Sequence, residues 1–162
     1  MQHQPPAKNP YTPAPAINAS QWINSERKNI SAMRGKVIVL SFFQMLCPGC
    51  AAHSIPQSKK IHELYRSQDV QLIGIHSVFE HHDVMTPAAL KVFAHEYKLK
   101  YPIAIDRASP HGVVPCTMSA YDIQGTPSLV LIDRKGHVRY SYFGMLEDML
   151  LGSMIGQLLA ES

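Results

Sequence analysis

The sequence predicts an α/β fold, a central mixed β-sheet flanked by helices. Three observations predict it. Apolar, β-branched runs alternate with stretches of helical periodicity from residue 36 to residue 106. The first run, Val37-Ile38-Val39-Leu40, leads into Cys47-Pro48-Gly49-Cys50 where a helix is predicted to start. From Pro127 onward the pattern is strand, turn, return strand and helix, so one antiparallel hairpin joins a parallel core. A length of 162 residues suits one domain with an ample core, and 46% hydrophobic against 17% charged residues is the balance of a globular chain.

Each element has its own signal. Residues 1–19 carry Pro5, Pro6, Pro10, Pro13 and Pro15, a spacing that gives an extended arm, loose at its simplest, ahead of a domain spanning 20–162. Residues 21–24 suit a short strand, with Trp22 as a core anchor. Residues 36–43 are apolar after the first, the mark of a strand buried on both faces. A helix is predicted over 47–67. Pro48 fits its first turn, Pro56 should kink it, and Ile61, Leu64 and Tyr65 mark its buried face. Residues 70–78 form the next strand. Thr86 then caps a helix with Pro87 at its first position and Leu90, Phe93, Ala94 and Tyr97 on its apolar stripe. A short strand follows at 102–106, then a loop at 108–117 broken by Pro110, Gly112 and Pro115, and one helical turn at 119–123. Residues 128–132 and 137–143 pair across the Asp133-Arg134-Lys135-Gly136 turn. The last helix covers 147–160, with Leu151, Met154, Ile155 and Leu158 toward the core.

The Cys-x-x-Cys carries the chemistry. Residues i and i+3 at a helix start share a face, close enough for their sulfurs to bond. The unpaired N–H groups and positive dipole end favour a thiolate on the first cysteine. Cys47 is therefore the candidate attacking sulfur and Cys50 the more buried resolving one. Two plainer uses compete. A zinc site needs a second ligand pair, and the only further cysteine is Cys116. A structural disulfide over so short a loop removes little unfolded-state entropy. Cys116 itself reads as a small apolar filler in its loop, with a third redox thiol as the alternative.

Bulk properties narrow the partners. A net charge of +3 with no basic run argues against nucleic acid or a membrane surface. No apolar stretch reaches the roughly 20 residues of a membrane span. The polar, proline-rich start lacks the apolar core of an export signal, which implies a cytoplasmic protein, or a periplasmic or exported one if such a segment has been removed. Three cysteines give no closed disulfide framework, and nine scattered histidines give no ligand pattern.

The order of elements, with Cys47-Pro48-Gly49-Cys50 at the first helix and Thr126-Pro127 before a later strand, resembles the thioredoxin-like fold. More narrowly it is similar to the redoxin branch, near the alkyl hydroperoxide reductase and thiol-specific antioxidant proteins. Arg34-Gly35-Lys36-Val37-Ile38-Val39-Leu40 looks like that branch's lead-in strand, residues 86–106 like its strand–helix insertion, and residues 125–133 like its cis-proline strand. The resemblance covers residues 20–160 and makes the first residues an N-terminal extension. It implies a thiol–disulfide oxidoreductase acting through Cys47 and Cys50, with no metal or organic cofactor. Its partners would be a protein disulfide or dithiol substrate and an upstream thiol reductant. It also implies a cis bond at Pro127 and a Thr126 backbone able to pair with an extended substrate peptide.

Three positions depart from the family pattern. Leu46 stands where thioredoxins carry tryptophan, Ser41 where they carry a buried aspartate, and His53 where relatives of this branch often carry glutamate. One turn beyond Cys50, His53 is placed to do acid–base work on the resolving thiol; a partly exposed helix histidine without a role is the competing expectation. Two other activities share the fold. A peroxiredoxin-like peroxidase would need threonine at position 47 and an arginine near the later strand, and Gly125-Thr126-Pro127-Ser128 offers none. A copper-binding chaperone would space its cysteines by three residues.

Overall fold

Seven consecutive buried residues make Val37–Phe43 (β2) the centre of the sheet. The computed structural model describes residues 9, 12–65 and 69–161. The outer part of the proline-rich arm and the predicted helix end at 66–67 lie outside them.

Around β2 run Ala19–Ile23 (β1), Val70–His76 (β3), Ile103–Asp106 (β4), Ser128–Ile132 (β5) and Val138–Phe143 (β6). They form one six-stranded sheet in the order β1-β4-β3-β2-β5-β6. β2, β3 and β4 are parallel; β1, β5 and β6 pair antiparallel with their neighbours. The α-helices are Ile55–Tyr65 (α1), Pro87–Glu96 (α2), Cys116–Ala120 (α3) and Asp148–Ala160 (α4).

Strand alternation sorts the core into two layers. Val37, Val39 and Phe43 of β2 pack with α1, α2 and α4 through Ile61, Leu90, Ala94, Leu151, Met154 and Leu158. Ile38, Leu40 and Phe42 face the other way, toward Ile30, Met118, Tyr121 and Ile123. Ile17 of the arm belongs to this second layer. Where described, the arm is extended but not loose. It leaves β6 at the Pro13–His137 bridge, and the Tyr121 hydroxyl donates to the Pro15 carbonyl at 2.6 Å. Asn18 and Thr117 exchange two hydrogen bonds, and β1 then closes the opposite edge. At that edge Trp22 is only half-buried, against the second layer, so it is less of an anchor than its size suggests.

Two helices differ from expectation. Residues 50–54 form a π-helical turn in which the Ile55 N–H reaches the Cys50 carbonyl five residues back. Pro56 explains it. The proline has no N–H to give, and its ring would crowd the carbonyl of Ala52, so the ladder widens just ahead of it. Within α1, Ile61 is buried and Tyr65 half-buried as expected, but Leu64 is 70% exposed and lines an apolar groove of about 180 Å³ shared with α4. The other difference is α3. It begins at Cys116, earlier than the predicted turn at 119–123, because the Asp106 carboxylate accepts the Thr117 and Met118 N–H groups at 2.7 and 2.9 Å. Thr86 caps α2 as expected, accepting from Ala89 N–H, and Glu147 caps α4.

Candidate active site

Three distant segments meet past the C-terminal end of β2. The chain turns after Phe43, and the Cys47 N–H donates to the Gln44 carbonyl at 3.1 Å. The helix starts at once, with Ala51 N–H donating to the Cys47 carbonyl at 3.0 Å. Cys47 and Cys50 are joined as a disulfide, with 5.2 Å between their Cα atoms. The two sulfurs are not equivalent. Cys47 is half-exposed and Cys50 wholly buried. The Cys50 N–H points back at Cys47 Sγ, 3.2 Å away. One amide of the helix start is thus aimed at the outer sulfur, the arrangement that stabilises a thiolate there.

The second segment is the loop before β5. The Thr126–Pro127 peptide bond is cis. The Thr126 carbonyl oxygen lies 3.6 Å from Cys47 Sγ. A Cβ added to Gly49 would stand 3.4 Å from Pro127 Cδ, so the turn between the cysteines rests on this proline with little room to spare. Gly144 N–H donates to the Pro127 carbonyl at 2.8 Å, and the exposed Phe143 ring covers Gly125. Leu46, next to Cys47, and Phe143, over Gly125, are both exposed apolar side chains.

The third segment is the end of β3 and the loop after it. Met45 N–H donates to His76 Nε2 at 3.1 Å. The buried Gln44 side chain accepts from Phe79 N–H at 3.2 Å and reaches Glu80 at 3.4 Å. Burial holds the His76 pKa down at about 4. None of Gln44, His76 and Glu80 stood out in the sequence. A histidine closing an otherwise apolar strand was the available signal.

His53 turns toward the start of α4. Its Nε2 lies 2.8 Å from the Leu146 carbonyl, ahead of α4, and no hydrogen bond joins it to either sulfur among the described residues. The π turn is the reason, since residues three apart no longer stack on one face as they would in an α-helix. A carbonyl can only accept, so Nε2 carries the proton and Nδ1 is the basic nitrogen of the neutral ring. Gln57 donates to the same carbonyl at 2.7 Å and to Asp148 at 2.9 Å, and Lys60 pairs with Asp148. These bonds tie α1 to the start of α4, with the Lys60 hydrogen bond foremost in holding the Asp148 carboxyl below its ordinary range.

Residues 12–148 match the Redoxin family. The chain belongs to that family. A solved thioredoxin-like superfamily protein is 45% identical with a TM-score of 0.90, over 93% of this chain and 98% of its own. A thiol-disulfide isomerase from Corynebacterium glutamicum is 48% identical with a TM-score of 0.88, over 92% of this chain and 98% of its own. By sequence, the thiol-disulfide oxidoreductase ResA of Geobacillus kaustophilus is 25% identical over 125 residues; the match takes in 76% of this chain but 64% of ResA. The Redoxin chain described here is thus a thioredoxin-like oxidoreductase domain, and the chemistry of its Cys47–Cys50 pair is thiol–disulfide exchange.

Proposed function

We propose that this domain reduces or exchanges disulfides of protein substrates, with Cys47 as attacking sulfur and Cys50 as resolving sulfur. The observation that carries it is the asymmetry of the pair: a half-exposed Cys47 sulfur facing the Cys50 N–H, and a Cys50 with no exposed surface. In the reduced protein the Cys47 thiolate attacks one sulfur of a substrate disulfide. The other substrate sulfur leaves as a thiolate and a mixed disulfide forms. Cys50, losing its proton, then attacks Cys47 Sγ and expels the second substrate sulfur. Two electrons have passed to the substrate, and the Cys47–Cys50 disulfide must be reset by an upstream thiol reductant. No metal or organic cofactor enters these steps.

Thr126 and Pro127 belong to the substrate side of this proposal. The Thr126 backbone flanks Cys47, where an extended peptide can pair with it, and the exposed Leu46 and Phe143 offer apolar contacts. His53 enters as an acid–base group through Nδ1 alone, because Nε2–H is given to Leu146. The cytoplasm is the proposed compartment, with an extracytoplasmic setting as the alternative. A redox titration against glutathione bears on both, since the potential must suit the surrounding thiol poise.

Insulin reduction with a dithiol donor tests the proposal. Wild type should turn over and Cys47→Ser should be inactive. Cys50→Ser should accumulate mixed disulfides visible by mass spectrometry, and His53→Ala should slow resolution more than first attack. Turnover retained in Cys47→Ser would sink the assignment.

A further inference from the structure

The turn that carries Cys47 contains a buried amide that needs an acceptor, and β3 supplies it. Met45 stands two residues before Cys47, with its side chain buried. Its N–H meets His76 Nε2 at 3.1 Å. His76 ends β3 directly beside Phe43, the last residue of β2, and the two rings pack tilted with centroids 5.1 Å apart. The imidazole is 1% exposed and held from two directions. A ring nitrogen that accepts a proton cannot also carry one, so His76 is neutral with its proton on Nδ1. A pKa of about 4, lowered by burial, agrees with that state at neutral pH. On the adjoining residue the Gln44 side chain takes the Phe79 N–H, so both residues that open the turn are pinned to the β3 end.

We propose that His76 is a positioning residue for the redox turn: by accepting the Met45 amide it holds the Met45-Leu46-Cys47 segment where Cys47 Sγ meets the Cys50 N–H and the Thr126 carbonyl. The inference rests on Cys47 being the attacking sulfur. An apolar side chain at position 76 would fill the same space and leave the Met45 amide buried without a partner. The turn would then shift to find one, and the geometry that stabilises the Cys47 thiolate would shift with it.

The direct observation is a scalar coupling between the Met45 amide nitrogen and His76 Nε2 in the nitrogen-15 spectrum of the wild-type protein; its absence overturns the proposal. The functional readout is the Cys47 thiol pKa, followed by thiolate absorbance in the ultraviolet. His76→Phe keeps a ring against Phe43 but offers no acceptor. It should raise the Cys47 pKa by about half a unit or more and speed exchange of the Met45 amide roughly tenfold. His76→Gln, whose side-chain carbonyl can accept, should restore most of both. His76→Leu serves in the same test if His76→Phe does not fold. A folded Phe or Leu variant with an unchanged Cys47 pKa reduces His76 to a core residue. Insulin reduction by the wild type separates the two levels: an inactive wild type refutes the proposed function, whereas an active one with indifferent His76 variants refutes only the positioning role.

Discussion

Cys47 and Cys116 occupy comparable places in the sheet. β2 and β4 run parallel, and each cysteine sits where the chain beyond one of those strands enters a helix. Cys116 comes back to the end of β4 through its own N–H, which donates to the Arg107 carbonyl at 2.8 Å. Each is half-exposed and each has a proline next to it. The difference lies in where the helix amides go. At α3 two of them, from Thr117 and Met118, are taken by Asp106, whose carboxylate also accepts the Ser77 hydroxyl at 2.8 Å. At the redox turn the Cys50 N–H is given to Cys47 Sγ itself. A helix start stabilises a thiolate when its amides are available to the sulfur, and at α3 a carboxylate has already claimed them. On the proposed roles, the same local plan serves a nucleophile at one place and a structural junction at the other.

The two regions should also answer acid differently, which gives the largest of the graded effects. His76, beside the redox turn, has a folded pKa of about 4 against an ordinary 6.5. Between those values the unfolded chain binds a proton that the folded chain does not. Its contribution to stability is complete above pH 6.5 and falls as pH drops toward 4, by about 3 kcal/mol in all. Burial raises the Asp106 pKa, so Asp106 acts in the opposite sense: its contribution is present below the ordinary carboxylate pKa and lost as pH rises through its folded value. Denaturant unfolding from pH 7 to pH 4 should show wild type losing stability that His76→Gln does not lose. Equal slopes for the two proteins would mean His76 titrates normally and the turn is not built on a neutral ring.

Asp106→Ala sharpens the contrast from the other side. Two buried amides and a hydroxyl lose their acceptor, for a cost of about 2 kcal/mol in unfolding free energy. Cys116 should become easier to alkylate while Cys47 keeps its rate. A Cys116 rate unmoved in the folded variant would show that Asp106 does not restrain that thiol.

Much of the site is legible in the sequence because its signals are local. Cys47-Pro48-Gly49-Cys50 after an apolar run fixes the turn, and Pro127 ahead of a strand marks the loop that faces it. What stayed hidden depends on contacts between strands or on a phase set nearby. The role of His76 exists only because β2 and β3 pair with Phe43 beside it. The start of α3 depends on Asp106, which lies ten positions upstream beyond an irregular loop. Ideal α-helix spacing puts His53 on the face of Cys50, and the π turn at 50–54 changes that spacing.

The smallest expected effect is a null one. Cys116→Ser should leave insulin reduction unchanged and stability within about 0.5 kcal/mol, since the hydrogen bond from its sulfur to the Ala108 carbonyl is long, 3.8 Å. A large loss of turnover would make Cys116 a third redox thiol and end the contrast.

The most direct measurement is a competition among the three thiols of the reduced protein for a limiting amount of iodoacetamide near neutral pH, with each site followed by mass spectrometry. Cys47 should be labelled first, roughly tenfold ahead of Cys116, with the buried Cys50 last. Labelling of Cys116 or Cys50 at or before the rate of Cys47 would contradict the claim that the helix amides at the redox turn make Cys47 the nucleophile.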